Sequence, residues 1–283
     1  MYYFLGISLL FAFLLVLNLL ISPVSSILWR ILDKPTKNFS AQRRTQTIFA
    51  LRIFPLLFTL VVVFVFLVPS YLLFEPYPPK ENVTLKMAIP ALFFLLGFFI
   101  AIYRIFGSWW QTRQLTKNWL KSAERISVKN VFLPVYRFNH PFPVIAVIGV
   151  FQPKLFIADQ IFSTLSEEEL AAAIKHELGH LASHDNFKRI LLRVCGDLLV
   201  FPIGKKLEQA WVENSEAAAD EYAAKIHSET ALNLASALIK ITKIIPANTT
   251  PAMPLGAFLI ERKNVDITQR VRPLLKLSES IPK

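Results

Sequence analysis

Cysteine is almost absent from this 283-residue chain: Cys195 stands alone. That excludes a disulfide framework and a cysteine-rich zinc site, and a single thiol suits a reducing compartment. Runs of Lys and Arg interleaved with aromatic residues are also lacking. The excess of 31 basic over 20 acidic residues therefore does not read as a nucleic-acid surface. The bases are spread around apolar segments, where attraction to anionic lipid headgroups accounts for them. Internal repeats and low-complexity tracts are missing too. What the chain has in plenty is apolar residues, 54% of the total. Its mean hydropathy of +0.45 is above that expected of a soluble domain of this size.

This surplus collects in three segments, at about residues 5–21, 53–74 and 87–106. Each is long enough to span hydrocarbon and nearly free of charge. No Lys or Arg precedes the first, and no small-x-small pattern follows it, so it is expected to be an uncleaved anchor. Arg30, Lys34, Lys37, Arg43 and Arg44 lie between the first and second segments. Lys80 and Lys86, offset by Glu75 and Glu81, lie between the second and third, and Arg104, Arg113, Lys117 and Lys121 sit at the end of the third and beyond. This distribution predicts an outside N-terminus and a cytoplasmic domain after Phe106. The expected location is a bacterial inner (plasma) membrane.

Two domains are expected: a membrane anchor over residues 1–106 and a second domain over 107–283. Residues 110–125 read as an amphipathic helix lying against the membrane face. Residues 144–150 and 155–158 read as a β-hairpin turned at Gln152-Pro153. Residues 190–203 are apolar but too short to span, and carry Arg193 and Asp197, so a buried or membrane-grazing helix is expected there. Cys195 is expected to be a small core residue, and His140 a loop residue.

The densest chemistry lies in "HELGHLASHD". Ser166 and Glu169 form a capping box, with acidic residues in the first turn. They predict a helix from about Glu167 to about His184, with Ile174, Leu178 and Leu181 as an apolar stripe. His176 and His180, four residues apart, stack on another face. Two imidazoles so spaced can bind one Zn²⁺ at roughly 2.0–2.1 Å. Glu177 is rotated by about 100° from His176, which sets its carboxylate beside such a metal, able to take a proton from an attacking water. Unpaired polar groups on so apolar a helix would otherwise cost free energy.

A catalytic zinc needs a third protein ligand. No histidine follows at the short metzincin spacing, since His184 is only four residues past His180. Downstream, Glu213, Glu216, Asp220 and Glu221 all qualify on chemistry. Glu216 and Asp220 share a helix face, and Glu213 and Glu221 read better as solvated positions. His184 fits a helix end as well as a supporting role, and His227 lies roughly 16 Å along the helix from Glu216, too far to share a metal.

"HELGHLASHD" followed by "SEAAAD" resembles the membrane-bound zinc metallopeptidases of the HtpX and CAAX prenyl protease type. Their pattern is His-Glu-x-x-His with an Asp five residues later, then Glu-x-x-Ala-Asp. The resemblance implies that His176, His180 and Glu216 bind zinc and that Glu177 is the catalytic acid/base. It also implies that Asp185 and Asp220 support the ligands from behind. The order of elements is similar to a second, related family, the BlaR/MecR-type signal-transducer peptidases, and "HDNFKRILLR" leans that way. The likeness covers about residues 131–277, ending in "VDITQRVRPLLKL", and does not include the second family's extracellular penicillin-binding sensor. The implied fold is a mainly α membrane protein: three transmembrane helices, then a cytosolic α+β zincin-like domain with a small β-sheet. The implied activity is zinc-dependent hydrolysis of protein or peptide substrates. A non-proteolytic membrane sensor or scaffold, and a signalling protease that cuts one cytosolic repressor, are the alternatives.

Overall fold

The structure, a computed structural model, describes residues 2–77, 82–199, 203–225, 228–245 and 267–280. The chain divides into two compact units, residues 1–106 with 190–213, and residues 107–189 with 214–283. His227 lies outside the described residues.

The first unit is helical. Helix α1 spans Tyr2–Leu32; α2 (Ala41–Val61) runs through a π-helical stretch, Val62–Leu67, into α3 (Val68–Phe74); α4 spans Leu85–Leu120. Tyr2–Leu32, Ala41–Phe74 and Leu85–Leu120 are each long and apolar enough to cross a membrane. The π-helical stretch falls between Pro55 and Pro69, whose missing N–H groups loosen the regular ladder. Large apolar side chains such as Ile7, Phe58, Phe66 and Phe99 stay exposed, as surfaces meant for lipid do. Small polar side chains are buried instead: Asn18, Ser22, Ser25 and Thr59, with Ser22 Oγ donating to Asn18 Oδ1 at 3.3 Å. Residues 190–213 belong to this unit, held by Arg52 on Glu208 at 2.7 Å and by Arg104 on Asp197. Leu192, Cys195, Leu199 and Trp211 of this stretch are buried.

The second unit carries a mixed four-stranded sheet: β1 (Glu124–Ile126), β2 (Val135–Phe138), β3 (Ile145–Ile148) and β4 (Lys154–Ala158), in the order β1-β2-β4-β3. The hairpin read from sequence is β3 antiparallel to β4, with Ala146 opposite Phe156. Its turn needs Gly149, at φ +106°, where a Cβ would lie 2.9 Å from the Gln152 carbonyl oxygen. Strands β1 and β2, with β2 parallel to β4, are an addition to that reading. The expected helix over 110–125 is corrected. Residues 110–120 continue α4, because Gly107 is the sole candidate break and a lone Gly does not end a helix. Arg125 lies in β1.

After the sheet come α5 (Asp159–Thr164), α6 (Glu167–Ala182), α7 (Asp185–Asp197), α8 (Lys205–Ala224), α9 (Ser228–Ile244) and α10 (Ile267–Ser280). The capping box at the start of α6 forms as read: Ser166 Oγ accepts from Glu169 N, and Ser166 N donates to Glu169 Oε2 at 2.9 Å. Glu169 also accepts from Ser236 at 2.6 Å and Lys240 at 2.8 Å, both on α9. One core unites Phe138, Ile145, Phe156, Ile161, Ile174, Leu234, Leu238 and Leu274. The fold is thus mainly helical, with a small sheet following the apolar helices.

Candidate metal centre

Helix α6 presents His176 and His180 one above the other. His176 is fully buried, and its Nε2 lies 3.2 Å from Nε2 of His180. Two neutral imidazoles cannot both aim lone pairs at each other without repulsion, so a proton or a cation belongs between them. Glu216 on α8 completes the group: one ligand atom from each of His176, His180 and Glu216 lies within 4.8 Å of the others. The close approach of α6 to α8 is made possible by two small residues. Gly179 stands between the histidines, and Ala219 lies on the facing turn.

Each histidine has a carboxylate behind it. His180 Nδ1 meets Asp185 Oδ2 at 2.8 Å, and His176 Nδ1 meets Asp220 Oδ1 at 2.8 Å. Such pairing fixes the proton on Nδ1 and leaves Nε2 as the acceptor. Asp185 comes into place because His184, at φ +56°, turns the chain sharply between α6 and α7. The His184 side chain is exposed, and its Nδ1 meets the Leu181 carbonyl at 3.0 Å, outside the group.

Glu177 projects toward β3. Its Oε2 accepts from the Val147 N–H at 3.2 Å, while its buried Oε1 makes no hydrogen bond among the described residues. Burial pushes its carboxyl above the ordinary range, against the pull of His180 and His176. Asn186 donates to the carbonyls of Val147 and Gly149 at 3.2 and 3.3 Å, so β3 is an edge strand whose outward groups are partly engaged. Val147, Glu177, His180, Asp185, Asn186 and Arg189 line a small crevice beside the histidines.

Two arginines also converge here; both lie in stretches that carry the family resemblance, but neither is read there as part of the site. Arg270 on α10 forks onto Asp220, with Nη2 to Oδ1 at 2.6 Å and Nε to Oδ2 at 3.1 Å, and its Nη1 lies 3.2 Å from Glu216 Oε2. Arg189 reaches Glu216 Oε1 at 3.7 Å. Arg270 follows Asp220 by fifty positions with no shared periodicity, so local pattern could not find it.

The donor set fits a divalent cation. Among the described residues, four carboxylates, Glu177, Asp185, Glu216 and Asp220, gather at the two histidines with two guanidinium groups, Arg189 and Arg270. Among the described residues neither buried Glu216 oxygen accepts a hydrogen bond, and the carboxylate is met only by the ion-pair contacts of Arg270 and Arg189. Burial disfavours a charge on His180, yet Glu216, Asp185 and Glu177 push its pKa up to about 9, as a site short of positive charge would. Burial likewise opposes ionisation of Asp220, but Arg270 and His176 hold its carboxyl well below the usual range. Glu213 and Glu221 do not join the group.

No curated protein matches the chain. The family model described as BlaR1 peptidase M56 matches residues 75–274. Of the two families that the motifs resemble, this is the signal-transducer one. The matched residues make up most of the chain and include every residue of the histidine and carboxylate cluster, and so the chain belongs to the BlaR1 peptidase M56 family.

Proposed function

We propose that the chain is a membrane-anchored zinc endopeptidase. The observation that carries this reading is the facing pair of Nε2 atoms, 3.2 Å apart, with a buried carboxylate of Glu216 within reach of both. His176, His180 and Glu216 would hold the ion, and Asp220 and Asp185 would fix the two imidazoles. A bound zinc would supply Lewis acidity toward a scissile carbonyl and toward water.

The remaining chemistry falls to the chain's own side chains. Glu177 has one oxygen anchored on Val147 N–H and one unengaged, which suits it to take a proton from the attacking water and deliver it to the leaving amine. Its raised pKa brings that transfer closer to neutral pH. The substrate would enter the crevice beside β3. A peptide adding to that edge would take the carbonyls of Val147 and Gly149 from Asn186.

Family membership favours a signalling role, in which one protein is cut, over broad turnover of misfolded membrane proteins. A proteome comparison of cells carrying wild type and Glu177→Gln tests this. One or a few stabilised proteins in the variant support the signalling reading, and many support turnover. Reporter fusions after Phe74 and at the C-terminus test the orientation, with only the second expected to report cytoplasm.

A further inference from the structure

Asp220 is 5% exposed, and a carboxylate so buried is paired with a cation. The cation comes from α10, a helix far along the chain. Leu274, one turn after Arg270 and fully buried in the core, seats α10, flanked by partly buried Val271 and Leu277. That seat directs Arg270 at the back of the histidine group. Its Nε and Nη2 hold both oxygens of Asp220, and Asp220 Oδ1 in turn accepts from His176 Nδ1 at 2.8 Å. Nη1 forms an ion pair with Glu216 Oε2 at 3.2 Å, and Oε1 lies 3.5 Å from His180 Nε2. Nη2 also lies 3.4 Å from each ring nitrogen of His176. With Nδ1 already donating to Asp220, that contact is packing against the ring.

We propose that Arg270 is a positioning residue of the metal centre, setting His176 through Asp220 and Glu216 directly so that both offer their ligand atoms to one cation. The proposal rests on the zinc reading above. One guanidinium thereby orients two of the three ligands from the side away from the crevice, and the C-terminal helix becomes part of the site. Lysine cannot replace it, since a single ammonium cannot hold both Asp220 oxygens and Glu216 in fixed directions.

The test is the zinc affinity of the full chain in detergent, by chelator competition, together with the visible absorption of Co²⁺ bound in place of zinc. Arg270→Lys is expected to weaken zinc binding by about 10–100-fold. It should also shift the Co²⁺ bands, a change in ligand geometry that a loss of stability alone would not produce. In Arg270→Ala, guanidinium ion added far below denaturing concentration is expected to restore part of the lost affinity. If Arg270→Lys does not fold, this rescue decides: recovery supports the proposal, and no recovery overturns it. Wild-type affinity and an unchanged Co²⁺ spectrum in Arg270→Lys overturn the proposal and leave the zinc reading intact. A wild-type chain that binds neither ion overturns both.

Discussion

A β-carbon on Gly179 would come within 3.1 Å of the Cα of Ala219, and within 3.2 Å of two side-chain atoms of Tyr222. Backbone cannot give way as a flexible side chain can. This glycine therefore sets how near Glu216 comes to the histidines on either side of it. Gly179→Ala should push α6 from α8 at a cost of about 1–3 kcal/mol, and weaken zinc binding at least about tenfold. Thermal unfolding and chelator competition on the same preparation measure the two effects.

Glu177 does not belong to the ligand group, although it is buried among it. Glu177→Gln keeps the side chain's size and removes the proton acceptor. Zinc content should match wild type, while the rate of peptide cleavage should fall by about 10²–10⁴-fold. Elemental analysis beside a cleavage assay separates the two. Cleavage at the wild-type rate would remove Glu177 from the mechanism.

Glu169 gives the domain an acid-sensitive tie between α6 and α9. Burial raises its pKa, but hydrogen bonds from Lys240 and Ser236 outweigh that, and the net direction is down. A carboxyl with a depressed folded-state pKa stabilises above its unfolded value of about 4.3. That contribution is lost as pH falls through the lower folded value. Glu169→Gln should therefore flatten the acid side of the stability profile, with a smaller difference from wild type near pH 3 than near pH 6. Denaturant unfolding at a series of pH values checks the sign.

What could be read from sequence was whatever repeats at a local period. His176, Glu177 and His180 sit at helical spacing, Ser166 and Glu169 mark a helix start, and the apolar segments announce themselves by length. Glu216 and Asp220 share a helix face, but only a family resemblance picked Glu216 from its acidic neighbours. Strands β1 and β2, three and four residues long, have no period of their own and exist by pairing. The run of α4 to Leu120 was hidden because Gly107 and the tryptophans after it look like a boundary. Arg270 lies in a stretch quoted for the family resemblance, but its role could not be read there, since its partners are set by how α10 packs and not by anything near it in the chain. The need for Gly179 likewise appears only once Ala219 is seen facing it.

Elemental analysis of the full chain, purified in detergent and never exposed to chelator, tests the central claim most directly. The account predicts one zinc per wild-type chain, its loss in Glu216→Ala, and its retention in Glu213→Ala. A wild-type chain without stoichiometric metal, or zinc kept by Glu216→Ala and lost by Glu213→Ala, would contradict it.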